Sequence, residues 1–537
     1  MFKRILAIAL IMLMLIPALA SCMKMKQNEN ESGKDTESSD VTESEADTTE
    51  SESETESETE SETETETETE TESETETETE SETEVETDKN GYMLDDLPEL
   101  NYNGYEFDIL GWDDGYKDDF WVEDNSDAVI EKSLYSRNKA VENRLNLKIM
   151  STFIPGNFGN QGDFVSFVVN TAYTGGDNEF DLIGSYSMVG GTLATQGLIH
   201  DLYDLSYLDF EKPWWSASLI ERSEMNGSLY FATGDLANSY IYMLHFLTVN
   251  LNMLDEYDLD DPRQMVKDGT WTLENMIKMT KGVGADDDGV EGKTEGDTYG
   301  YAYYSAVEAE CWLAAAGINM TSEDANGVLS LSESFIGDDT HNLITKISEQ
   351  RHKTIDWYDK GAGMKGEPIV GGKTLFMGVA GEAMKSFNDV PFKYGVLPYP
   401  KVSSDQTEHL TLLGFAYTTF SIPNNVYDAD MSAAVLECMN SQAYRSSSPV
   451  LYQTVFKSRF ANDPIDAEMY DVIKSNAYVD AARVFHSLFE ASYNWNGTPV
   501  GKFRNAINTG SGTWASDIDG IKTNINQMLK NISSSVR

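Results

Sequence analysis

The chain has 537 residues, a formal net charge of -54 and three cysteines. It is long enough for two or three domains with a large core, and its acidity makes nucleic acid and anionic membrane surfaces poor partners. Residues 27–88 carry 28 acidic side chains against one lysine, net -27; with the +4 of the first 26 residues, the rest of the chain is left at -31, so the part able to fold is acidic as well.

Lys3 and Arg4 precede an apolar run from Ile5 to Ile16, followed by Pro17 and Leu19-Ala20-Ser21-Cys22. A basic start, an apolar stretch and small residues predict a secretory signal over residues 1–21, and the run is shorter than the ~20 residues a membrane span needs. Leu-Ala-Ser-Cys resembles the bacterial lipobox. That implies cleavage before Cys22 and a diacylglycerol on its sulfur, holding the protein on the extracellular face of the cell membrane; each buried acyl CH₂ contributes about 0.8 kcal/mol. Residues 22–90 are mostly Thr-Glu and Ser-Glu. With so few apolar residues and so much charge they predict a disordered acidic tether, a spacer between the lipid and a folded part over residues 91–537.

Within the folded part, Tyr105 to Leu110 alternates apolar and acidic residues and predicts a strand. Asn125 or Ser126 caps a helix running to about Leu145, with Ile130, Leu134, Val141 and Leu145 on one face. A strand over Leu147 to Phe153, a helix over Phe164 to Tyr173 and a short strand over Phe180 to Ile183, ended by Gly184, complete a β-α-β-α-β order. That order implies a parallel sheet with right-handed crossovers. Asp113, Asp114, Asp118 and Asp119 read as a solvated loop rather than a cleft rim. The Gly/Ser/Tyr loop after the third strand lies where open α/β sheets take ligands. Trp214 and Trp215, in a polar Pro-containing segment, are either core or a flat surface offered to a ligand.

Several chemistries lack their residues. The six histidines are scattered, with none at metal-ligand spacing. Cys311 and Cys438 lie in apolar helical runs and read as buried thiols. Gly372-Lys373-Thr374 ends like a phosphate-binding loop, but Glu367 stands where the first glycine belongs. Asp286 to Asp297 has acidic residues at the first, third and twelfth positions of a calcium loop, Asp286, Asp288 and Asp297. It has Val290 and Glu291 where an oxygen ligand and a glycine belong, so it reads as a solvated turn, with calcium the alternative and no other cofactor expected.

Five segments carry a resemblance: Asn226 to Asp235 (NGSLYFATGD), Thr248 to Leu254, Asp261 to Ile277 with its GTWTLENMI end, Gly378 to Pro400, and Leu412 to Pro423. In this order, behind a lipobox, they resemble family 1 bacterial extracellular solute-binding proteins, the maltose-binding-like class. The resemblance spans about Tyr102 to Asn531. It implies an α/β fold of type II periplasmic-binding form, with lobe 1 at about 100–235 plus 420–445 and lobe 2 at about 236–415 plus 446–537. Hinge crossovers are expected near Gly234–Tyr240, Leu412–Ser421 and Asn440–Ser448. It implies a monomeric, non-catalytic protein that closes on a sugar or oligosaccharide and delivers it to the permease subunits of an ABC importer. By the same resemblance the ligand contacts are Tyr186, Trp214, Trp215 and Asp235 from the first lobe, Trp312, Phe387 and Trp495 from the second, and Phe415 at a crossover. A surface-anchored glycan hydrolase and a plain adhesion or scaffold lipoprotein are the rival readings, since a glycosidase carboxylate pair leaves no sequence signature of its own.

Overall fold

The computed structural model describes residues 86–114, 117–122, 128–174, 180–303, 305–358 and 371–535. The signal, Cys22, nearly all of the tether and the cap positions Asn125 and Ser126 lie outside the described residues. The folded part starts a little earlier than expected: Thr87 bridges Met93, and Asp88 accepts the backbone N–H groups of Asn90 and Tyr92.

The first half alternates as its periodicity predicts: β1 (Tyr105–Trp112), α1 (Val129–Leu145), β2 (Leu147–Ile154), α2 (Gln161–Thr174), β3 (Leu182–Tyr186) and α3 (Val189–Thr195). β1 pairs parallel with β2 from Tyr105↔Leu147 to Trp112↔Ile154, and with β3 at Ile109↔Leu182 to Gly111↔Gly184. Gly184 does not end the third strand but sits inside it. A Cβ there would stand 3.0 Å from the Phe120 ring and 3.3 Å from that of Phe420, so the glycine makes room for rings packed on the sheet, and the strand runs on to Tyr186.

The chain then crosses to a second sheet. α4 (Asn238–Tyr242) leads into β4 (His245–Asn250), followed by β5 (Tyr299–Tyr303), β6 (Thr374–Ala380) and β7 (Tyr394–Leu397). Their order is β5-β6-β4-β7; β4 is antiparallel to both neighbours, and β5 is parallel to β6. Every residue of β4, β5, β6 and β7 is buried, which explains their nearly continuous apolar runs. The chain returns through β8 (Thr418–Ser421), antiparallel to β3 at the edge of the first sheet, whose order is β8-β3-β1-β2. α5 (Ala429–Arg445), capped by Asp428 on Met431 N–H, packs on α1.

A third crossing follows α5. The helix Pro464–Ser475 then packs on β7, where Asp466 accepts Val396 N–H at 2.9 Å and the Arg263 guanidinium at 2.8 Å. The chain next turns back to touch the first lobe, where Ser487 Oγ donates to Met188 O at 2.7 Å and lies 3.1 Å from Thr192 Oγ1. Two sheets joined by three crossings make the expected two-lobe architecture. Among the described residues no helix is long and apolar enough to cross a membrane.

Candidate functional site

The crossings are tied together by polar groups buried from solvent. Asp119 accepts from Ser239 on the first crossing, through backbone and hydroxyl, and from Thr418 Oγ1 on the second at 2.6 Å. Burial pushes its carboxyl up to about 6, against these hydrogen bonds, which favour the charged form. Trp112 Nε1–H donates to the same Thr418 hydroxyl at 2.9 Å. Arg137, also buried, donates to Phe120 O, to Leu236 O at 3.3 Å and to Ser447 Oγ at 3.4 Å, linking the first crossing to the third. Asp119 is therefore no solvated loop residue, although nothing local in DDGYKDDF distinguishes it from the exposed Asp118; both line the 770 Å³ hollow described below.

On the inner side of these crossings lies a cleft of about 480 Å³ between the lobes. The first lobe contributes Tyr186 and Met188, at and just beyond the C-terminal end of β3, and Phe158 after β2. The crossings contribute Met243, Phe415 and Ala416. The second lobe contributes His245, Ser305, Val307, Ala380, Glu382, Glu490, Trp495 and Arg504. Strand ends and the loops after them converge here, as in open α/β sheets generally.

Aromatic rings form its apolar surface. Trp495 meets Phe158 edge-on at 5.7 Å between centroids and Phe415 at 6.3 Å, and His486 lies 4.3 Å from it underneath. The Arg504 guanidinium sits 4.6 Å over the Trp495 ring and that of Arg483 3.8 Å over Phe415, geometry in which cation and ring quadrupole attract. Both guanidinium groups pair with the buried Glu310. Burial, reinforced by the two arginines, pushes His486 down to about 3, so its imidazole is neutral. Burial also lowers Arg504 to about 10, still a cation at neutral pH.

The polar groups are held just as firmly. Glu308, wholly buried, lies 3.1 Å from His245 Nδ1 through one oxygen. Its other oxygen accepts Ser305 N–H at 2.9 Å and Ser305 Oγ–H at 2.8 Å. A separate hollow of about 770 Å³, whose lining includes Tyr242, Lys385 and Arg459, has Glu382 in common with this cleft.

Of the residues expected to touch ligand, Tyr186, Phe415 and Trp495 come together in this cleft. Trp214, Trp215 and Asp235 do not; they line a different hollow, so the Trp pair does not face Trp495 across one ligand. Trp312 is core: it stacks on Trp357 at 5.7 Å and meets Tyr399 edge-on at 5.2 Å. Phe387, 2% exposed, packs edge-on against Tyr394 under the second sheet. Sequence reading missed Phe158, His245, Ser305, Glu490 and Arg504. Only the sequence neighbourhood of Glu490 and Arg504, flanking Trp495, hinted at them.

Carboxylate oxygens of Asp286, Asp288 and Asp297 come within 4.8 Å of one another. Asp297 is buried, and its oxygens already accept Asp287 N–H, Thr294 N–H and the Tyr299 hydroxyl, which hold its carboxyl below the usual range despite burial. Asp288 accepts from Thr294 Oγ1 and Val290 N–H, and Asp286 from Gly289 N–H.

No family model matches the chain, and no curated protein matches its sequence. Solved structures do match its fold. A cyclo/maltodextrin-binding protein complexed with maltotetraose is 12% identical, with a TM-score of 0.51, covering 80% of this chain and 98% of that one. A maltose-binding periplasmic protein from Listeria monocytogenes, in complex with maltose, is 14% identical, with a TM-score of 0.51, covering 79% of this chain and 98% of that one. At such identities the likeness is one of fold, and the fold is the expected two-lobe binding-protein form.

Proposed function

We propose that this chain is an extracellular solute-binding protein that captures a sugar or oligosaccharide between its lobes and delivers it to an ABC importer. The carrying observation is the cleft itself: Trp495, Phe158 and Phe415 beside Ser305, His245, Glu490 and Arg504, at the strand ends of both sheets. Sugar rings have apolar faces that pack on aromatic planes, and fixed polar groups select their hydroxyls. The similar solved structures hold maltose and maltotetraose, which supports the carbohydrate class for this chain. The protein binds without turnover, as a monomer, and the lipid on Cys22 keeps it beside its permease, with the tether as spacer.

A thermal-shift screen against mono- and oligosaccharides tests this reading. A ligand at about 100 times its Kd adds ~2.7 kcal/mol to stability, so at least one sugar raises the melting temperature. No shift with any sugar contradicts the carbohydrate class, and release of reducing ends would favour the hydrolase. Cys22→Ser tests the anchor: the variant leaves the membrane fraction or accumulates as precursor, and unchanged acyl labelling would overturn it.

A further inference from the structure

The hollow that takes Trp214, Trp215 and Asp235 has a volume of about 580 Å³, within the usual range for small-molecule sites. It lies on the other side of α4 from the 770 Å³ hollow that has Glu382 in common with the interlobe cleft: Asn238, Ser239 and Tyr242 border that one, and Tyr240, on the opposite face of the helix, lines this one. Its walls come from both lobes. Trp214 and Trp215 are fixed to the first by their indole N–H groups, which donate to Glu437 on α5 at 3.0 and 3.1 Å. Asp471 and Lys474 stand on the helix that packs on β7.

We propose that this hollow is a second ligand site, for a carbohydrate ring, and that its occupancy is coupled to that of the interlobe cleft. Tyr92 and Tyr444, edge-on at 5.3 Å and both partly exposed, present aromatic surface. With the indole N–H groups turned inward to Glu437, what Trp215 adds at the wall is carbon. Asp235 and Lys474 face each other across the lobes at 3.7 Å, with Ser448 Oγ donating to Asp235 at 2.7 Å. A sugar hydroxyl donates and accepts at once, so one hydroxyl satisfies both the carboxylate and the ammonium. Asp235 pairs with Lys474 and Asp471 with Lys457, so these groups leave no net positive charge to draw a phosphate or other anion. Any rotation of the lobes that closes the inner cleft changes the gap between Asp235 and Lys474. A ligand bridging that gap therefore changes affinity at the inner cleft, and the reverse holds by linkage. The coupling, though not the site, rests on the function proposed above.

The test is calorimetric titration of the folded chain with glucose, maltose, cellobiose and N-acetylglucosamine. Three proteins are compared: wild type, Trp495→Ala, and the surface double variant Asp471→Asn/Lys474→Met. Two sites are expected in wild type. One weakens about 30-fold or more in Trp495→Ala; the other is unaffected by it and weakens about tenfold or more in the double variant. Filling the second site shifts inner-cleft affinity in wild type but not in the double variant. If Trp495→Ala abolishes all sugar binding, or the double variant leaves both sites unchanged, the second site is overturned while the interlobe function stands. If sugar binding survives Trp495→Ala intact and is lost only in the double variant, the second site stands and the interlobe reading fails. Two independent sites would overturn the coupling.

Discussion

The carboxylate of Asp119 accepts a hydrogen bond from the hydroxyl of Thr418 at 2.6 Å, across 299 residues of sequence. With Ser239 as its other partner, Asp119 clamps the first crossing to the second. Asp119→Ala leaves the Ser239 N–H and the hydroxyls of Ser239 and Thr418 without their acceptor. Each buried unpaired group costs about 1–3 kcal/mol, so urea unfolding should show a loss of about 3 kcal/mol or more. A loss below about 0.5 kcal/mol, the scale of an ordinary surface change, would contradict the clamp.

Two buried carboxyls, Glu437 and Asp119, each contribute stability that is lost as pH rises. Burial pushes Glu437 from the usual 4.5 up to about 8 and Asp119 from 3.8 up to about 6. Between each pair of values the folded chain holds a proton that the unfolded chain has released. The stabilising contribution is therefore complete below about pH 4, is lost progressively through about pH 6 for Asp119 and about pH 8 for Glu437, and is absent above. Melting curves of Glu437→Gln against wild type isolate the upper part: the wild type should lose stability relative to the variant between about pH 5 and 8. Parallel curves would contradict the assignment.

Gly234 sits where the chain doubles back on the Trp pair. It bridges Trp215, and a Cβ at this position would stand 2.1 Å from Trp214 O. Backbone cannot yield as a flexible side-chain tip does, so Gly234→Ala should cost about 1–3 kcal/mol or more. An unchanged melting temperature would show that the strap moves freely.

The acidic turn at Asp286 to Asp297 should be indifferent to calcium. Its carboxylates are occupied by Thr294, Tyr299, Lys373 and backbone N–H groups. Chelator and added calcium should leave melting of the whole chain unchanged; a calcium-dependent rise would make the turn a metal site.

Much of the first lobe was legible because its signals are local. Apolar alternation in β1 and the helical spacing of Leu134, Val141 and Leu145 are properties of neighbours in sequence. The errors have the opposite origin. Gly184 reads as a terminator until Phe120 and Phe420 are seen packed over it. Asp119 reads as solvated because its partners lie 120 and 299 residues away. The Trp pair looked like cleft because its polar segment suggests exposure, yet both indoles are oriented by Glu437, over 220 residues downstream. Trp312 looked as ligand-like as Trp495. Only the stack with Trp357 and the edge contacts with Tyr301 and Tyr399 assign it to the core.

The most direct measurement of the central claim is calorimetric titration of Trp495→Ala with the sugar that best stabilises the wild type, read together with its melting temperature. Trp495 is partly exposed in the cleft and braced by Phe158, Phe415 and Arg504 rather than enclosed by core. Truncating an aromatic anchor often costs about 2 kcal/mol or more, which is about 30-fold in affinity. The account predicts that loss with melting of the ligand-free protein nearly unchanged. Wild-type affinity in the variant, or a loss of affinity that comes only with collapse of the fold, would contradict it.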